Sequence, residues 1–192
     1  QKTFFAFNTI QKIMPLGEFI DGKLNSHLTL SGKLNDQLMP DLNSLTGNGN
    51  LLLIKGILKK FTPVDKLASS LNIEQLKDVS LKDIKNYFEF ANGKVLIKPF
   101  PVKVNNIEME IGGLHGFDQS LNYTVNLKMP RNMMGSAGNN LVNNLVAQSN
   151  SKGIPIKVSD IVNLKVLVSG TLKDPLFKTD LKQTTSSLAN DF

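Results

Sequence analysis

The stretch Leu121-Asn122-Tyr123-Thr124-Val125-Asn126-Leu127-Lys128-Met129 alternates apolar and polar residues without a break. Side chains of an extended chain point to opposite faces at every step, so this pattern is a β-strand with one buried and one solvated face. The same two-residue period recurs on either side. Before it, Ile107, Met109 and Ile111 alternate with Glu108 and Glu110. After it, Val162, Leu164, Val166, Val168, Gly170 and Leu172 fall on one face of a strand spanning about 161–172. Further strands are expected at 80–90, with Phe88 and Phe90 in phase, and at 94–100, where Pro99 and Pro101 imply a bulge or an edge. Asn92-Gly93 between them is a hairpin turn signal. Near the start, Leu24, Leu28, Leu30 and Leu34 oppose Asn25, His27, Thr29, Ser31 and Lys33. Gly47-Asn48-Gly49-Asn50 reads as a turn before an apolar strand at 51–58. Gly112-Gly113 and Gly116 read as another turn.

Three segments change period. Phe4, Phe7, Ile10 and Met14 recur at helical spacing over 3–14, with Thr3 as a cap and Pro15 as a stop. Thr62-Pro63-Val64-Asp65 opens a second helix, with Thr62 as N-cap and Val64, Leu67, Ala68 and Leu71 as its buried stripe. A third helix is expected from about 139 to 148, where Leu141, Val142, Leu145 and Val146 form the apolar side. Helix–strand alternation of the doubly wound kind is absent. The expectation is a mainly β (α+β) domain: a curved antiparallel sheet or groove of hairpins with short helices inserted between strands. One such domain spans 1–181, and 182–192 is a frayed tail.

Composition narrows the chemistry. The 192 residues are 41% hydrophobic and 20% charged, with no Cys and no Trp. A chain of this size buries roughly 70% of its unfolded surface, enough for a true core. The lack of Cys excludes disulfides, thiolate metal sites and a cysteine nucleophile. The net charge of +6 comes from 22 basic and 16 acidic residues, and every basic residue except Arg131 is Lys. Scattered lysines with a single arginine argue against nucleic acid as a partner. They are compatible with an anionic lipid surface.

No catalytic motif emerges. Gly17 to Lys23 has the spacing of a phosphate loop, but Leu24 stands where a Ser or Thr must reach magnesium, and a strand follows where a helix is needed. His27 and His115 lack metal-ligand spacing. His27 belongs to a polar strand face, and His115 is expected in a glycine turn beside Asp118. Glu108 and Glu110 share a strand face, which reads as a solvated face in preference to an acid–base pair. Asn122-Tyr123-Thr124 is a glycosylation sequon by pattern, with meaning only in a eukaryotic secreted protein. No cofactor and no metal are expected. The segment 30–38 echoes 168–176 in the pattern apolar-S-G-x-L-x-D-x-L, as if one strand–turn unit were used twice.

The apolar strand faces can be plain core, or they can line a groove. Rich in Leu, Val and Ile and poor in aromatics, such a groove would suit acyl chains better than sugars or bases. Candidate lining residues are Ile107, Met109, Ile111, Leu121, Tyr123, Val125, Leu127, Val162, Leu164, Val166 and Val168. The helix carrying Leu141, Val142, Leu145 and Val146 is a candidate lid.

Met39-Pro40-Asp41-Leu42-Asn43-Ser44-Leu45-Thr46-Gly47-Asn48-Gly49 resembles the AsmA-like C-terminal region in its Bacteroidetes form. Ser169-Gly170-Thr171-Leu172-Lys173-Asp174-Pro175-Leu176-Phe177 is similar to that family's closing strand, G-T-L-x-D-P-x-F. Phe88 to Val95 and the strands 107–111 and 121–130 follow the family's order between them. The resemblance spans about residues 4 to 181. It implies a non-enzymatic periplasmic segment of an inner-membrane-anchored envelope protein of Gram-negative bacteria. It further implies a role in outer-membrane biogenesis and phospholipid transport along an apolar β-groove. The partners implied are a phospholipid or other acyl-chain ligand, or an envelope protein, with membrane contact through a transmembrane helix outside this sequence. The alternative is a structural or docking module that recruits an outer-membrane assembly partner without carrying lipid.

Overall fold

The computed structural model describes residues 19–76, 79–154 and 160–179. The expected helix over 3–14 and the tail 182–192 lie outside them. Eight strands form one antiparallel sheet in chain order: β1 (Ile20–Ser31), β2 (Thr46–Leu58), β3 (Val79–Ala91), β4 (Lys94–Val104), β5 (Ile107–Gly116), β6 (Leu121–Pro130), β7 (Ile161–Gly170) and β8 (Pro175–Thr179). Two helices interrupt this meander, α1 (Thr62–Leu71) after β2 and α2 (Ser136–Ser151) after β6. The fold is therefore the expected mainly β sheet with helices inserted between hairpins.

The register aligns the apolar positions into rows that cross the sheet. One row runs Val102, Met109, Leu127, Leu164 and the next Phe100, Ile111, Val125, Val166. On the first strands, Leu28 faces Gly49, which faces Phe88, which faces Ile97. A single face thus carries most of the apolar side chains from β1 to β7, with Ser26, Asn86, His115 and Tyr123 among them.

Several local expectations shift for identifiable reasons. Gly47-Asn48-Gly49-Asn50 is not a turn but part of β2. Gly47 pairs with Phe90 and Gly49 with Phe88, and a Cβ on Gly49 would lie 2.5 Å from the Phe88 ring. The glycines make room for the aromatic rings that cover them, a cross-strand arrangement that stabilises glycine in a sheet. Likewise Gly112, Gly113 and Gly116 lie within β5, and the turn follows at Phe117–Ser120. Thr62 is the first residue of α1, and Phe61 takes the N-cap position without a side-chain bond; Pro63 sits in the first turn as expected. α1 ends on Asn72, which adopts a left-handed conformation and donates its N–H to the carbonyls of Ala68 and Ser69.

Pro99 marks a bulge: the β4–β5 register slips between Ile97 and Phe100. β3 and β4 pair only through Phe88–Ala91 and Lys94–Ile97. Beyond the bulge the two strands part, and Asn86 Nδ2 reaches the Lys98 carbonyl across the gap at 3.1 Å. The sheet is curved as well as split. Lys66 of α1 meets Asp174, in the turn before β8, at 2.8 Å, so the last hairpin comes round to the helix that follows β2.

The repeated pattern takes two forms. In the second copy Gly170 pairs with Pro175 and adopts φ +79°. In the first, the bridge moves to Leu34 and Pro40, and Asn35 Oδ1 accepts the N–H groups of Gln37 and Met39 to close the turn.

Candidate functional site

The apolar face is covered unevenly. Where β3, β4, β5, β6 and β7 approach the helices, a large core forms from Leu67, Ala68 and Leu71 of α1 and Val142 and Val146 of α2. These pack on Val79, Val102, Val104, Ile107, Met109, Leu127, Met129, Val162 and Leu164. At the other end of β1–β4, Leu45 closes a smaller cluster over Phe88, Phe90 and Val95, with Leu28, Leu30, Leu42 and Phe117 around it. The Phe88 and Phe90 rings meet edge to face at 5.4 Å between centroids.

The expected lining residues all sit on this one face. Ile107, Met109, Val125, Leu127, Val162, Leu164, Val166 and Val168 are buried in the larger core, while Ile111, Leu121 and Tyr123 are half-buried at its border. Of the expected lid, Val142, Leu145 and Val146 are buried and Leu141 is half-buried. α2 is anchored further by Arg131, whose Nε and a terminal nitrogen donate to Asn139 Oδ1 at 2.9 Å and Asn143 Oδ1 at 2.6 Å. The helix is packed as core.

Sequence reading missed the strip between the two clusters. Leu51, Ile84, Ile97 and Phe100 are half-buried there, and Asn86, opposite Leu51, interrupts the apolar row. Leu24, at the edge of the strip on β1, is 36% exposed. The signal was available in part: Phe88 and Ile97 flank the Asn92-Gly93 hairpin at matching distances and so must face each other.

His115 is the other surprise. It is not a turn residue but the last inward-facing position of β5, in phase with Ile107, Met109 and Ile111, and it is 5% exposed. Its Nδ1 lies 2.8 Å from the Tyr123 hydroxyl, and the two rings stack at 9°. Burial pushes the Tyr123 phenol well above its ordinary range. Asp118, expected beside His115, instead accepts from the Ser120 N–H and hydroxyl at 3.0 and 2.6 Å. Those bonds hold its carboxyl below the usual carboxylate range.

Across the middle of β5, β6 and β7 the opposite face is polar. Glu108 lies across from Lys128, and Lys128 from Asn163. Glu110 lies across from Asn126, and Asn126 from Lys165. These side chains line a shallow depression of about 380 Å³. Lys103 reaches Glu108 at 3.6 Å and Asn126 reaches Glu110 at 3.2 Å. Opposite charges alternate across the strands, an arrangement that stabilises pairing and keeps the face wet.

Among the described residues no cluster of His, Asp and Glu is placed to hold a metal ion, and no helix is long and apolar enough to cross a membrane. No protein-family model matches the chain, and no curated protein and no solved structure is significantly similar to it.

Proposed function

We propose that this chain is a non-enzymatic segment of a periplasmic, inner-membrane-anchored envelope protein of the AsmA type, and that it ends an acyl-chain path that contributes to phospholipid transport and outer-membrane biogenesis. The observation that carries the reading is the apolar strip between the two clusters. Leu51, Ile84, Ile97, Phe100 and Ile111 keep part of their surface in water beside two clusters that are closed. An acyl chain laid along them gains about 25 cal/mol for each Å² of apolar surface removed from water. Headgroups remain at the rim. The packed α1 and α2 would stop the chain from travelling further. The lining expected from the sequence thereby moves from the rows under the helices to their border.

Native mass spectrometry of the protein purified without detergent tests this reading. Retained phospholipid, reduced by Leu51→Lys or Ile97→Lys, supports it. A protein that neither retains nor takes up phospholipid from vesicles contradicts it.

A second reading is a docking module for an outer-membrane assembly partner. The burial of Ile107, Leu127, Val162 and Leu164 under two helices favours it, because that part of the face acts as a closed core. Partner capture that persists in variants unable to hold lipid would distinguish it.

A further inference from the structure

We infer that the free edge of β1 is a self-pairing surface, through which two copies of this chain join antiparallel into one continuous sheet. Among the described residues nothing pairs with the outer side of β1, which leaves a row of backbone donors and acceptors open to another strand. Sheet edges are ordinarily protected by charge, proline, brevity or a bulge. The opposite edge has such protection: β8 is only 5 residues long, begins at Pro175 and carries Lys178. β1 faces a register shift between Lys23 and Leu24, where the extra residue is Ile54 of β2. From Leu24 to Ser31, however, it is regular and carries no Lys, Arg, Asp, Glu or Pro on either face.

Charge selects both the partner and the register. A two-fold axis at His27 sets Leu24 of one copy against Leu30 of the other and Ser26 against Leu28. Just past the paired segment, it brings Asp21 of each copy, which its own Lys59 already holds at 2.6 Å, towards Lys33 of the other. An axis one residue further on, at Leu28, would set Lys23 against Lys33, a repulsive pair. Strand partners on an antiparallel axis at a residue keep their parity, so the apolar face of one copy continues into the apolar face of the next. Leu24, 36% exposed in one copy, gains an apolar neighbour. The contact is isologous and therefore closes at two copies, whereas β1 joined to β8 of a neighbour would propagate without limit. The pairing does not depend on lipid binding; where lipid binds, it would join two apolar strips.

The absence of cysteine makes the test direct. Sedimentation of the full chain should show a monomer–dimer equilibrium that rises with concentration. His27→Cys should give a disulfide-linked dimer on mild oxidation, since residues opposite each other on the axis lie about 5 Å apart. Asn25→Cys or Thr29→Cys alone should not, because each lies about 14 Å from its own copy by strand geometry, yet a mixture of the two should cross-link. Leu24→Lys, a change at an exposed position, should weaken the dimer about tenfold while leaving the melting temperature of the monomer in place. A chain that stays monomeric at high concentration overturns the proposal. So does a dimer in which His27→Cys fails to cross-link.

Discussion

His115 Nδ1 and the Tyr123 hydroxyl lie 2.8 Å apart on the apolar face of the sheet. The two residues come from adjacent strands one row apart, His115 opposite Leu121 and Tyr123 opposite Gly113. Their hydrogen bond lets two polar side chains occupy a mainly apolar face. Tyr123→Phe removes one partner and leaves the ring nitrogen facing an apolar edge. Such a change costs about 1–2 kcal/mol. Urea denaturation should show this loss with an unchanged slope, because the surface exposed on unfolding is nearly the same.

The same phenol predicts a response to alkali. Burial raises the Tyr123 pKa from its ordinary 10.0, so the folded state holds this proton more tightly than the unfolded chain. Its contribution to stability is fully present below about pH 10. It declines as the pH rises beyond that and is lost by the folded-state pKa. In a Tyr87→Phe background, Tyr123 is the only tyrosine. Its ultraviolet ionisation curve should lag behind that of the unfolded chain and rise abruptly where the protein denatures.

Gly49 should tolerate no side chain of any size. A Cβ there would lie 2.5 Å from the Phe88 ring and 2.7 Å from the His27 carbonyl. Gly49→Val is expected to destabilise by about 1–3 kcal/mol through overpacking. The effect should be local: hydrogen exchange ought to quicken in β1 and the adjoining half of β2 before it does in β6 and β7.

α2 packs on the sheet through Val142, Leu145 and Val146. Leu145 is 1% exposed, and Leu145→Ala should cost about 2–5 kcal/mol, the range for emptying a buried leucine site. Asn144→Ala, on the exposed side of the same helix, should stay within about 0.5 kcal/mol of the parent. A Leu145→Ala variant of unchanged stability with raised dye binding would return the helix to the role of a lid.

The strands were legible because their signal is local. In Leu121 to Met129 and in Val162 to Val168, each residue declares its face by its neighbours alone, and the structure puts every one of them where the two-residue period requires. The glycines were not legible in this way. Gly47 and Gly49 look like punctuation until Phe88 and Phe90 are known to lie across the strand gap. His115 misled for a related reason, as its flanking glycines suggested a turn while its phase with Ile107 and Met109 marked it as buried. The coverage of the apolar face was out of reach of periodicity altogether. Whether Leu127 or Ile97 retains contact with water depends on where α1 and α2 settle, and periodicity does not encode that placement.

The most direct measurement of the account is site-specific photocrosslinking to phospholipid. A benzophenone side chain placed at Leu51 or Ile97 should form phospholipid adducts when the protein is mixed with vesicles. The same group at Asn48, exposed on the other face of β2, should form few. Adducts concentrated at Leu51 and Ile97 are the predicted result. Labelling at those positions no higher than at Asn48 would contradict the claim that the half-covered strip holds acyl chains.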